Sequence, residues 1–170
     1  MPDFETETSW IVITGAPSSG KTSVIDALTS RGYAVQGEVA RELIEECLRQ
    51  GLSLADVKAD GGKQLQADIL RIKTSREKQL APLDTVFMDR GMPDSISYFR
   101  LAGLDTNAAM AACRHFRYRA VFIFDRLPVI RDGVRSEDEA AAMQIDVMLE
   151  ADYRSLGYVP VSYTHLTLPT

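Results

Sequence analysis

Five short apolar runs alternate along the chain with longer stretches whose apolar residues return every third or fourth position. Trp10-Ile11-Val12-Ile13-Thr14 is rich in β-branched residues and stops at Gly15, the pattern of a strand buried in a parallel sheet. Lys21 to Arg31 carries Val24, Ile25 and Leu28 on one face and ends at Gly32, which predicts a helix with a glycine just past its C-terminus. Tyr33 to Gly37 reads as a second strand, and Ala40, Leu43, Ile44 and Cys47 form the stripe of a second helix closed by Gly51. After the turn at Asp60-Gly61-Gly62, Leu65, Ile69 and Ile72 keep helical spacing from Lys63 to Leu80, until Pro82 forbids continuation. Thr85-Val86-Phe87-Met88 is the third strand, and Asp94 to Leu101 and Asn107 to Phe116 read as helices around Gly103. Ala120-Val121-Phe122-Ile123-Phe124 is the fourth strand. Ala141, Ile145, Met148 and Leu149 mark a last helix ending near Gly157, and Tyr158-Val159-Pro160-Val161 begins a fifth strand in which Pro160 suits only an edge or an end.

Strands separated by helices need crossover connections, so this order predicts an α/β, three-layer fold: a mainly parallel five-stranded sheet with helices on both faces. Ligands of such sheets bind beyond the carboxyl ends of the strands. Gly15 to Thr22, Glu38, Asp89-Arg90 and Asp125-Arg126 all follow strand ends and should converge on one crevice.

Composition narrows the class without changing the fold. The 170 residues suit a single domain, and 45% hydrophobic with 25% charged residues is ordinary for a soluble globular protein. No apolar run approaches the ~20 residues of a membrane-spanning helix. The acidic start, Met1 to Glu7, lacks the features of a secretory signal, so a cytoplasmic location without a membrane partner is expected. A net charge of −5 argues against nucleic acid as the main partner. Cys47 and Cys113 lack metal-site or disulfide spacing and are expected to be buried thiols; His115 and His165 have no metal-ligand spacing either.

The chemistry is concentrated at the strand ends. Gly15-Ala16-Pro17-Ser18-Ser19-Gly20-Lys21-Thr22 has the spacing G-x-x-x-x-G-K-[ST], between a strand and a helix. Glycines let such a loop curl until its backbone N–H groups point inward, and the following helix adds its positive end, so the loop cradles a polyphosphate. Lys21 is expected to reach the β- and γ-phosphates and Thr22 to bind magnesium. Asp89 stands where P-loop proteins keep a magnesium-associated carboxylate. Arg90 fits either a phosphate contact or a buried ion pair bracing the site, and Asp94 reads as the cap of a helix starting near Ser95. Glu38 fits two roles equally, a carboxylate that orients the acceptor hydroxyl or a first-turn glutamate favoured by the helix dipole. Arg41 either holds an acidic group of the substrate or pairs with Glu45. Arg126, Arg131 and Arg135 lie in one irregular stretch, in which Arg126 is expected at the nucleotide and Arg131 and Arg135 on a short lid closing over the transferring phosphoryl group.

Taken together, Ile13 to Thr22, Glu38 with Ala40-Arg41-Glu42-Leu43-Ile44, Phe87 to Asp94 with Tyr98, and Asp132 to Glu137 followed by Tyr153, Leu156, Gly157 and Tyr158 resemble one family. It is the P-loop kinase-like family that carries the AAA-type ATPase label and is related to the ribosylnicotinamide kinase domain of the bifunctional NAD biosynthesis regulator. The resemblance spans nearly the whole chain and implies a kinase-like core using ATP or GTP with magnesium, with a lid at Arg131 to Arg135. One stretch departs from the pattern: Ser162 to Thr170 looks like translated sequencing-adapter read-through, so a domain of residues 1–161 lacking its natural C-terminal end and a non-native tail at 162–170 are expected. The function expected is transfer of the γ-phosphoryl group to a small hydroxyl-bearing metabolite. The alternative is a nucleotide-dependent regulatory switch without such an acceptor. A guanine-reading element is absent, since Val57-Lys58-Ala59-Asp60 has the wrong first residue and place, and Arg90 after Asp89 opposes an oligomeric motor ATPase.

Overall fold

The computed structural model describes residues 3–126 and 137–163. In chain order they form β1 (Thr6–Glu7), β2 (Ile11–Thr14), α1 (Lys21–Ser30), β3 (Ala34–Gln36), α2 (Val39–Arg49), α3 (Leu54–Val57), α4 (Lys63–Gln79) and β4 (Val86–Asp89). There follow α5 (Asp94–Leu101), α6 (Asn107–Ala112), β5 (Phe116–Arg117), β6 (Ala120–Phe124), α7 (Glu137–Ser155) and β7 (Val161–Tyr163). The main sheet runs β3-β4-β2-β6-β7 with every neighbouring pair parallel. It is the three-layer α/β architecture expected.

Alternation along the central strands builds the two outer layers, because successive side chains of a strand point to opposite faces. Val12, Val86, Met88, Val121 and Ile123 enter the larger core, with Ile96 and Phe99 of α5 and Leu149 and Tyr153 of α7 also buried on the chain's interior. Their neighbours Ile13, Phe87, Phe122 and Phe124 turn to the other face and meet Val24, Ile25 and Leu28 of α1. A third cluster joins Val39, Leu43 and Ile44 of α2 to Leu65, Ile69 and Ile72 of α4.

Several boundaries differ from the sequence expectation. The helix predicted to reach Phe116 ends at Ala112, because Phe116–Arg117 pairs in parallel with Thr6–Glu7 as a separate two-stranded sheet. The pairing sets the Trp10 ring 4.8 Å from that of Phe116. The fifth strand begins at Val161 rather than Tyr158, whose ring instead packs at 5.9 Å on Tyr118. That strand crosses the predicted boundary at 161, with Tyr163 stacked on Phe124 at 4.5 Å. Cys113 is buried as expected, whereas Cys47 is only partly buried, near the exposed end of α2.

The turn after β4 is tightly constrained. Arg90 adopts φ 70, a conformation costing an L-residue roughly 1–2 kcal/mol, and its N–H donates to the Ile13 carbonyl at 3.0 Å. Gly91 then passes so close to its neighbours that a Cβ would sit 2.5 Å from Tyr153 Oη, 3.0 Å from Tyr118 Cε2 and 3.1 Å from Val12 Cγ2. Both tyrosines are buried and hydrogen-bonded, so neither can swing aside freely. Gly91→Ala is therefore expected to destabilise the fold by about 1–3 kcal/mol in urea unfolding, and a change below about 0.5 kcal/mol would contradict this packing.

Candidate nucleotide and acceptor site

β2 hands the chain to a loop from Gly15 to Gly20, and α1 begins at Lys21. Gly15 (φ 143), Ser18 (φ 65) and Gly20 (φ 79) all take positive φ, giving the curl that a phosphate cradle needs. A Cβ on Gly15 would stand 2.5 Å from the Phe124 carbonyl oxygen, so the loop can lie this close to β6 only with glycine there. Pro17 and Ser18 are exposed at the tip, Ala16 and Ser19 are buried, and Thr22 is exposed in the first turn of α1.

Lys21 is buried within its own loop. Its Nζ donates to the carbonyls of Gly15 (3.0 Å) and Ala16 (3.1 Å) and to Ser19 Oγ (3.0 Å). Burial, and next the Arg90 charge, lower its pKa to about 8. On the other side of the loop, the Ala16 N–H donates to Asp146 Oδ1 of α7 at 2.9 Å, and Asp146 Oδ2 lies 3.2 Å from Arg126 Nε. Arg126 is thus placed beside the phosphate loop, engaged by Asp146. Arg131 and Arg135 lie outside the described residues.

Arg90 joins this loop to the second carboxylate region. Its Nε donates to Glu38 Oε1 at 3.1 Å, and one terminal nitrogen donates to the Gly15 carbonyl (3.1 Å) and to Asp94 Oδ2 (3.2 Å). Its guanidinium also lies 5.6 Å from the Tyr98 ring centre. Of the two roles left open, these contacts are those of the brace. Glu38 is the N-cap residue of α2 but its side chain caps nothing there, pairing with Arg90 and, at 3.9 Å, with Arg41. Arg41 therefore has Glu38 as its partner rather than Glu45.

Asp94 corrects a second expectation. It is the first residue of α5 and buried, accepting hydrogen bonds from Thr14 Oγ1 (2.5 Å), Tyr153 Oη (2.6 Å), Arg90 and the Gly91 N–H (3.2 Å). Burial alone would raise its pKa, but Arg90 and Lys73 hold it below the usual carboxylate value. A helix cap needs one such bond; Asp94 instead gathers β2, the β4 turn and α7.

Asp89 is the opposite case. Its Oδ1 is buried with no hydrogen-bond partner among the described residues, and burial, with the charge of Glu38, raises its pKa to about 6. A buried, unpartnered carboxylate oxygen beside a phosphate cradle fits a divalent cation. Among the described residues no cluster of three or more His, Cys, Asp or Glu is arranged for a metal, so Asp89 and Thr22 would depend on phosphate oxygens and water for the remaining ligands.

Beyond Glu38 and Asp89 opens a cavity of about 310 Å³ between α2, α4 and α5. Its wall is mixed: Val39, Ile44, Leu65, Ile69 and Met88 are apolar, while Lys73 and Glu77 of α4 are buried charged residues. Lys73 donates to the Gly91 carbonyl and to Ser95 Oγ (3.4 Å), holding the β4 turn from below. Sequence reasoning missed both, although positions 65, 69, 73 and 77 share one helix face at four-residue spacing and the first two are apolar.

The Lys21 shift sets a pH dependence. A triphosphate favours the charged ammonium, so binding takes up a proton between pH 8 and the ordinary lysine range. ATP affinity is expected to level off below pH 8 and to fall by up to about tenfold per pH unit above it, with calorimetry in buffers of different ionisation heat showing the uptake; a flat profile from pH 7 to 9.5 would contradict it. For folding the sign is reversed: the unfolded chain binds the extra proton in that window, so Lys21 favours the fold increasingly as pH rises from 8 to 10.5.

Comparison with known proteins bears on the family and the fold. A family model described as an AAA domain matches residues 10–165. No curated protein sequence matches the chain. The solved structure of NadR protein in complex with NR aligns over 91% of this chain and 45% of its own, with a TM-score of 0.63 at 18% identity. Deoxyadenosine kinase from M.mycoides aligns over 92% and 89% (TM-score 0.57, 17% identity), and thymidylate kinase from Ehrlichia chaffeensis over 94% and 90% (0.57, 13%). This chain spans less than half the length of the NadR chain, and at these identities the likeness is one of fold. Among the described residues no helix is long and apolar enough to cross a membrane. The chain belongs to the AAA domain family and has the P-loop kinase-like fold.

Proposed function

We propose that this protein is a magnesium-dependent phosphotransferase that moves the γ-phosphoryl group of ATP, with GTP as a possible donor, to a hydroxyl of a small molecule in the cytoplasm. The observation that carries the reading is the corner where the phosphate loop, the unpartnered oxygen of Asp89 and the Arg90-held carboxylate of Glu38 meet one cavity of about 310 Å³. That volume suits a small organic molecule. The kinases of like fold named above are consistent with the reading, and a regulatory switch leaves the cavity without an occupant.

Loop N–H groups from Ser18 to Thr22 bind the phosphates, and Lys21 leaves its carbonyl partners for the β- and γ-oxygens. Magnesium held by Thr22 and Asp89 would neutralise charge on those oxygens. Glu38, fixed by the Arg90 fork, accepts the hydrogen bond of the acceptor hydroxyl, aligns it with the γ-phosphorus and takes its proton as the new P–O bond forms. Arg126 lies on the nucleotide side. Arg131 and Arg135 are assigned to the closing lid, where arginines stabilise charge on the phosphoryl group.

The test is a screen of hydroxyl-bearing metabolites with ATP and magnesium, comparing the wild type with Glu38→Ala. A phosphorylated product is expected, and the variant should lose about 10²–10⁴-fold in kcat/KM while ATP affinity changes by less than about tenfold. Tight ATP binding with no metabolite phosphorylated would favour the switch.

A further inference from the structure

The peptide joining Gly15 to Ala16 opens the phosphate loop, and charged side chains hold both of its polar ends. Its carbonyl accepts from Arg90 Nη1 at 3.1 Å and from Lys21 Nζ at 3.0 Å, and its N–H donates to Asp146 Oδ1 at 2.9 Å. A peptide unit is planar, so when Lys21 turns to the phosphates Arg90 and Asp146 still fix its orientation. The other oxygen of Asp146 lies 3.2 Å from Arg126 Nε, and Asp146 is the one ion-pair partner of Arg126 among the described residues. A chain of polar contacts thus runs from Glu38 through Arg90 and this peptide to Asp146 and Arg126. Its far end is anchored, because Leu149 and Tyr153, three and seven residues further along the same face of α7, are both fully buried.

A carboxylate beside a polyphosphate site repels the ligand unless a cation offsets it. Arg126 supplies that cation, and Asp146 in turn limits where the guanidinium can go. An arginine free in solvent loses side-chain entropy when it meets a ligand, whereas one held at Nε presents the rest of its planar fork in a set direction. Burial raises the Asp146 pKa, while the Ala16 N–H and the Arg126 charge oppose the rise by favouring the ionised form. We propose that Asp146 is a positioning residue for the nucleotide: it holds the Arg126 guanidinium against the phosphate loop, where its terminal nitrogens meet the bound nucleoside triphosphate. The proposal rests on the reading that such a triphosphate fills this loop, and it needs neither an acceptor nor turnover.

Calorimetry of ATP with magnesium, on the wild type, Asp146→Asn, Arg126→Ala and the double variant, tests it. Asp146→Asn keeps an oxygen for the Ala16 N–H and loses only the charge facing Arg126. It should weaken ATP binding by about fivefold or more in the wild-type background and by less than about twofold in the Arg126→Ala background. A role confined to the loop peptide or to the fold predicts the same loss in both backgrounds, and that result would overturn the proposal. Unchanged or tighter ATP binding by Asp146→Asn would overturn it too. Should a variant not fold, the Arg126 Nε–H resonance of the wild type, identified by substituting Arg126 with lysine, decides the matter: it should shift when ATP is added, and a signal unmoved by saturating ATP would contradict the contact. Wild-type protein that binds no ATP would end the nucleotide reading along with this proposal. Coupled ATP binding with no metabolite phosphorylated would end the phosphotransferase reading alone.

Discussion

The guanidinium of Arg90 is the interaction on which the site depends. It is one rigid fork bonded to the carbonyl that opens the phosphate loop, to the carboxylate at the start of α2 and to the buried carboxylate of Asp94. A lysine would offer one point charge to these three directions, whereas arginine meets them in fixed geometry. The fork reaches them because Arg90 sits in a left-handed conformation, and that strain persists because the surroundings leave no alternative. Gly91 allows Tyr153 and Tyr118 to close over the turn, Lys73 holds its carbonyl, and Asp94 fixes both the fork and Thr14 of the first central strand.

This arrangement explains why charges are dense in an interior that also holds an apolar core. Removing one member would leave its partners buried and unpaired, which costs more than the pair itself contributes. Arg100 and the buried Ser97 of α5 likewise both donate to Asp152 of α7. The β4 turn is held between two helices, and the Asp89 oxygen beside it has no hydrogen-bond partner among the described residues.

Much of the fold was legible because its signals are local. The β-branched run ending at Gly15, the exact extent of the strand at Ala120–Phe124 and the helix stop before Pro82 follow from periodicity and breakers. The Phe116–Arg117 strand was hidden, since its partner Thr6–Glu7 lies more than a hundred residues away and two residues carry no period. The phosphate loop was legible from spacing alone. Asp94, Lys73 and Glu77 were not, because burial of a charged residue is decided by distant partners; only the four-residue spacing from Leu65 to Glu77 hinted at it. Glu38 illustrates the middle ground: the sequence placed it after a strand, but its pairing with Arg90 rather than with the helix end required the turn geometry.

The central claim is that Arg90 makes the phosphate loop and the Glu38 carboxylate one mechanical unit. ATP affinity of Glu38→Gln, Arg90→Lys and the double variant, measured by calorimetry, tests it most directly through a double-mutant cycle. Each single substitution should weaken ATP binding by about threefold or more, with the double variant no weaker than the worse single one. Additive losses, or full affinity in Glu38→Gln, would contradict the account.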